Sequence, residues 1–152
     1  MSKILKALKL INQQKSNNNK VAIETLNIIY DKNIKIRYLS RLTNIQRKMV
    51  ISQFGKDWYK NMGGLYLTNT NYIFVNSRVS VEQMARTIVH EINHVKHNIS
   101  PFDDTDVFMS ELLAHKAEIE FSGKLVDKNN LPEISKNIIN NYKLFTALHT
   151  KN

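Results

Sequence analysis

Ile4, Leu8 and Ile11 recur at spacings of four and three, with Lys3, Lys6 and Lys9 between them. That is the period of an amphipathic helix, and it fades in the polar run Gln13 to Lys20. Val21 to Tyr30 reads as a second helix. Ile34, Ile36 and Tyr38 then alternate with Lys35 and Arg37, as a half-buried strand should. Thr43 is placed to cap a third helix, Ile45 to Phe54, that ends near Gly55.

After the single glycine pair, Gly63-Gly64, come Leu65-Tyr66-Leu67, a polar turn Thr68 to Asn71, and Tyr72-Ile73-Phe74-Val75. Aromatic and β-branched content around a short polar break predicts a β-hairpin. Ser80 with Gln83 three residues on has the form of a capping box opening the longest helix, Val81 to about Asn98. Its apolar stripe is Val81, Met84, Ala85, Ile88, Ile92 and Val95, and Asn98 with Ser100-Pro101 stops it. Asp103, Asp104 and Asp106 suit the positive N-terminal end of a further helix, from about Thr105 to Leu125. Leu131-Pro132 restarts a last helix carried by Ile134, Ile138, Ile139, Tyr142 and Leu144-Phe145. The predicted class is α+β: a small mixed or antiparallel sheet packed on the long helix, with further helices on its N- and C-terminal sides. No repeat or linker divides the chain, so residues 1–152 are read as one domain.

At 152 residues with 42% hydrophobic and 23% charged side chains, the chain has the composition of a globular domain. The absence of cysteine excludes disulfides, thiolate metal sites and a cysteine nucleophile. The formal charge of +9 suggests a nucleic-acid or anionic-surface binder until its distribution is read. Residues 1–60 carry net +10 and residues 61–152 net −1. The excess therefore describes a basic N-terminal part, including Lys3, Lys6 and Lys9, where an acidic substrate, partner or surface would dock. Lys6 and Lys9 interrupt the apolar run at the N-terminus, which consequently lacks the apolar core of an export signal, and no stretch reaches the length of a membrane span. The expected location is the cytoplasm, or outside the cell by a route with no cleaved signal.

The chemistry lies inside the long helix, in His90-Glu91-Ile92-Asn93-His94. Two histidines at i and i+4 share one helical face, so their ring nitrogens can converge on one tetrahedral ion at about 2.0–2.1 Å. Glu91, beside the first histidine, then reaches a water on that ion rather than the ion itself. Ile88, Ile92 and Val95 mark the packed side of the helix and leave the other for the histidines. A catalytic zinc needs a third protein ligand and one open position. Glu111, His115 and Glu118, spaced by four and three on the next predicted helix, share a face and are the candidates.

H-E-I-N-H-V-K-H, a gap, and Glu111-Leu112-Leu113-Ala114-His115 resemble the gluzincin class of zincin metallopeptidases, in which an H-E-x-x-H helix is followed by a helix with E-x-x-A or E-x-x-x-D. The resemblance covers residues from about 64 to 122, in a minimal single-domain form. It implies a zincin-like fold, a Zn2+ held by His90, His94 and Glu111, Glu91 as general base, and Ala114 as the small residue that lets the two helices approach. It also implies a protein or peptide substrate, paired to a strand near the site as the Tyr72–Val75 strand would be. His115 departs from the pattern, standing where many gluzincins carry an aspartate that orients the first zinc histidine. That leaves Glu118 as a replacement orienting group, or His115 or Glu118 as an alternative ligand. The metzincin pattern is absent, since no glycine occurs from Lys96 to Ser100 and position 100 is Ser.

His97 falls on the same face but two turns beyond His90, too far for the same ion, and reads as a solvated or supporting histidine. His149 and Tyr142 are candidate hydrogen-bond donors to a tetrahedral oxyanion, with Tyr142 also readable as core; Trp58-Tyr59 read as packing. The expectation is a zinc metalloendopeptidase. Its competitors are an inactive zincin-like module that binds a partner or nucleic acid through the basic N-terminal part, and a metal hydrolase acting on something other than a peptide.

Overall fold

The computed structural model describes residues 1–68, 70–97 and 104–122. The last predicted helix, with Tyr142, lies outside them, as do His149, Asn98, Ser100, Pro101 and Asp103. The described residues form a mixed α+β structure: α1 (Lys3–Ser16), α2 (Lys20–Asp31), β1 (Lys35–Tyr38), α3 (Asn44–Phe54), a one-turn α4 (Trp58–Asn61), β2 (Gly64–Tyr66), β3 (Tyr72–Val75), α5 (Val81–His97) and α6 (Asp104–Ser122).

Local chemistry sets the helix ends. Ser2 caps α1 by accepting from the Leu5 N–H at 3.2 Å. The polar run that weakens the first helical pattern divides in two: its first part is the last turn of α1, and Asn17 to Asn19 break the chain. Asn18 takes a left-handed conformation, φ 63°, which asparagine tolerates better than most residues. The Asn19 Oδ1 then accepts from the Ala22 N–H at 3.0 Å to start α2, while its Nδ2 donates to the Glu120 and Phe121 carbonyls, tying α2 to the end of α6. A full capping box forms at Thr43 and Gln46 rather than at Ser80 and Gln83. Ser80 does accept from the Gln83 N–H, but the Gln83 side chain turns to Arg86 instead of back to the cap.

The sheet has the order β1-β3-β2. The hairpin is present, with β2 antiparallel to β3 and Leu65 opposite Phe74. On its other side β3 pairs in parallel with β1, Ile36 opposite Ile73. The sheet is therefore mixed, and Tyr72–Val75 is its central strand. This corrects the assignment of that strand as the one available to a substrate: both its edges are already hydrogen-bonded, and β1 and β2 are the edges. The reason is a non-local pairing between segments far apart in sequence, which alternation within a segment does not record.

Being central, β3 is buried on both faces. Ile73 and Val75 join the main core with Ala7 and Ile11 of α1, Ala22 of α2, and Met84, Ala85, Ile88 and Ile92 of α5. Phe74 points the other way, into a smaller core with Leu39, Leu42 and Val50, where Trp58 also packs. Trp58 is thus a packing residue, and Tyr59 beside it is exposed. Full burial of a Val, Ile, Phe or Met side chain is worth about 1.5–3 kcal/mol, so Met84, Ile88, Ile92 and Val95 fix α5 against the core.

Lys3 is not a free member of the basic N-terminal part. Its Nζ donates to the carbonyls of Ser77 and Val79, at 2.8 and 2.9 Å, and clamps α1 to the segment leading into α5, whereas Lys6 and Lys9 are exposed. Among the described residues no helix is long and apolar enough to cross a membrane.

Candidate metal centre

The apolar stripe of α5 turns Met84, Ile88, Ile92 and Val95 into the core. That rotation leaves His90 and His94 facing α6, their rings 4.9 Å apart. Helices α5 and α6 pack against each other, and Ala114 of α6 is completely buried. His90 meets Glu118 while His94 meets Ser110, so the helices run antiparallel.

The Glu111 carboxylate lies between the two imidazoles. Its Oε1 is 2.9 Å from His94 Nε2 and its Oε2 is 3.3 Å from His90 Nε2. His90, His94 and Glu111 thus present two ring nitrogens and a carboxylate oxygen mutually within 4.8 Å, a group that could hold a metal ion. His90, His115 and Glu118 form a second such group that shares His90. Glu118 Oε2 lies 2.7 Å from His90 Nδ1 and 3.0 Å from His115 Nδ1, and the His115 Nε2 is 3.8 Å from Glu111 Oε2. All five side chains suggested by spacing therefore meet in one cluster. His97 is not in it and borders a separate cavity of about 160 Å³ between α2, α5 and α6, with Asn93 and Lys96.

The charges in this cluster are strongly coupled. Burial disfavours the charged form of His90, yet the Glu111 and Glu118 carboxylates at its two nitrogens outweigh this and hold its pKa well above the ordinary 6.5. Burial likewise works against ionised Glu111, but the hydrogen bonds from His90 and His94 win and keep it far below the usual carboxylate range. Glu118 is lowered in the same way, against burial, by His115 and His90.

Glu91 behaves in the opposite sense. It is only 7% exposed, and burial raises its pKa despite the opposing influence of His90 and His94. Its wall includes β2: a Cβ built on Gly64 would lie 3.3 Å from Glu91 Cγ. Burial thus makes this carboxyl group hold a proton more strongly than a carboxylate in water does.

Two participants were not signalled by the motif. Ser110 Oγ is 2.6 Å from His94 Nδ1 and occupies the second nitrogen of that ring. Gly64 sits against both Thr87 and Glu91, where a side chain would collide with the Thr87 methyl. The general need of a ligand histidine for a partner on its far nitrogen points to a residue such as Ser110, next to Glu111, but no spacing rule singles it out. Compared with protein families, curated proteins and solved structures, the chain matches none of them.

Proposed function

We propose that the chain is a small zinc metallopeptidase with a gluzincin-like, zincin-type site, in which His90, His94 and Glu111 hold the zinc and Glu91 is the general base. The observation that carries this reading is the position of the Glu111 carboxylate, 2.9 and 3.3 Å from the two Nε2 atoms of the H-E-x-x-H helix. Two imidazoles and one carboxylate are a donor set that catalytic zinc accepts, with one position left open. Cysteine, the soft ligand preferred by structural zinc sites, does not occur in the chain.

Zinc, when bound, acts as a Lewis acid that polarises the scissile carbonyl and brings the pKa of water toward about 7. The protein supplies the rest. The Glu91 carboxylate takes the proton of the attacking water and hands it to the leaving nitrogen, a role supported by its buried position and raised pKa. Nothing in this sequence of steps needs an acyl-enzyme. The outer edge of β2, which is unpaired among the described residues and faces Glu91 at Gly64, suits an extended peptide laid alongside the site.

A cleavage screen on a complex protein mixture tests the proposal, with Glu91→Gln as control. Wild-type protein loaded with zinc is expected to generate new peptide termini that Glu91→Gln does not, at equal zinc content. Equal cleavage by the two proteins contradicts the mechanism.

A further inference from the structure

The cluster contains more potential ligands than one ion needs, and the second group, His90, His115 and Glu118, invites reading as a second metal site. The chemistry of His90 argues against this. A neutral imidazole has one lone pair for a metal, the other nitrogen carrying hydrogen. His90 Nε2 faces Glu111 and His94, on the side of the three-donor group, whereas Nδ1 faces Glu118 at 2.7 Å. Use of both nitrogens for cations would require loss of the ring's last N–H proton.

Resting on the zinc-site reading above, we infer that Glu118 is a positioning residue: one carboxylate oxygen accepts hydrogen bonds from the Nδ1–H of His90 and the Nδ1–H of His115, which fixes His90 with its Nε2 lone pair directed at the metal position. Glu118 stands seven residues beyond Glu111, two turns along the same face of α6, so one helix supplies both the carboxylate in front of His90 and the one behind it. The geometry is constrained. Glu118 is 12% exposed and both rings 15%, so water does not readily replace any of the three. The His90 and His115 rings stand edge to face, 4.9 Å apart, and both Nδ1 atoms reach the same Oε2. His115 thereby supplies a second donor to the half-buried Glu118 carboxylate, and holds Glu118 in place for His90. A charged acceptor behind a ligand histidine also raises the basicity of the coordinating nitrogen.

The test is the zinc affinity and stoichiometry of the full chain, measured with zinc alone against a chelating dye, together with the NMR signature of the His90 side-chain nitrogens. Wild-type protein is expected to bind one zinc, with His90 protonated at Nδ1 and metallated at Nε2. Glu118→Gln, with its fold verified by circular dichroism, is expected to bind zinc about 10–100-fold more weakly and to lose the single His90 tautomer, which a merely structural role would not alter. Unchanged affinity in folded Glu118→Gln, zinc on His90 Nδ1, or two zinc ions per chain each overturns this inference while leaving the peptidase reading intact. If Glu118→Gln does not fold, the wild-type nitrogen signature alone decides. A wild-type chain that binds no zinc overturns both.

Discussion

Gly64 faces Glu91 across the junction of β2 and α5, with no room for a side chain between them. A Cβ at position 64 would lie 3.3 Å from Glu91 Cγ and 3.2 Å from the Phe74 carbonyl, and it would overlap the Thr87 methyl. Gly63, one residue earlier, would meet only Thr87 Oγ1, at 3.4 Å. The two glycines therefore separate a need for space beside the proposed base from a general need for a flexible turn. Gly64→Ala is expected to cost about 1–3 kcal/mol of stability by overpacking, and to depress peptidase activity beyond that by displacing Glu91. Gly63→Ala is expected to be close to neutral. Thermal melts and specific activity of the two variants check this, and equal behaviour would contradict it.

The pH dependence of the metal-free protein follows from the cluster's charges. His90 has a raised pKa, so its favourable pairing is fully present below 6.5 and is lost as pH rises through the higher folded value. Buried Glu91, also raised, acts in the same direction above 4.5, because the folded state holds its proton longer. Glu111 and Glu118 are lowered, so their stabilising pairs exist above 4.5 and disappear only as pH falls through their folded values. Metal-free protein should thus lose stability as pH rises above 6.5. A bound cation takes the place of the proton, so the melting temperature gained on adding zinc should grow over the same interval. Melts with zinc and with chelator, at pH values on either side of 6.5, measure it; a gain independent of pH would be inconsistent.

How much of this was legible beforehand depends on whether the information was local. The α5 stripe, His90 and His94 on its opposite face, and the β2–β3 hairpin are all written in periodicities shorter than about a dozen residues, and the structure has them. The parallel β1–β3 pair was not, because it joins strands separated by α3, α4 and β2. Helix α6 is the instructive case. Among its described side chains, Ser110, Glu111, His115 and Glu118 are buried or half-buried alongside Ala114 and Ala117, so polar and apolar positions share its packed side and hydropathy alone describes it poorly. The spacing of its carboxylates and histidine was the better signal. The Ser110 contact with His94 had no signal of its own, since a serine beside an acidic residue is unremarkable until the opposing ring is in place.

The N-terminal charge illustrates the same limit. Composition makes Lys3, Lys6 and Lys9 equivalent, but only Lys3 reaches the Ser77 and Val79 carbonyls. Lys3→Ala is expected to destabilise the chain by about 1 kcal/mol, while Lys6→Ala and Lys9→Ala leave stability unchanged within about 0.5 kcal/mol. Denaturant titrations distinguish the three. Equal losses at all three positions would show that the clamp does not contribute, and any study of docking by this basic face is better made at Lys6 and Lys9.

Whether His90, His94 and Glu111 hold zinc is read from the zinc content of the purified full chain by elemental analysis, alongside Glu111→Ala and Glu91→Gln. One zinc per chain is expected in the wild type, with that zinc retained in Glu91→Gln and lost or markedly weakened in Glu111→Ala. A folded wild-type chain that takes up no zinc, or a Glu111→Ala variant that binds it as tightly as the wild type, would contradict this assignment.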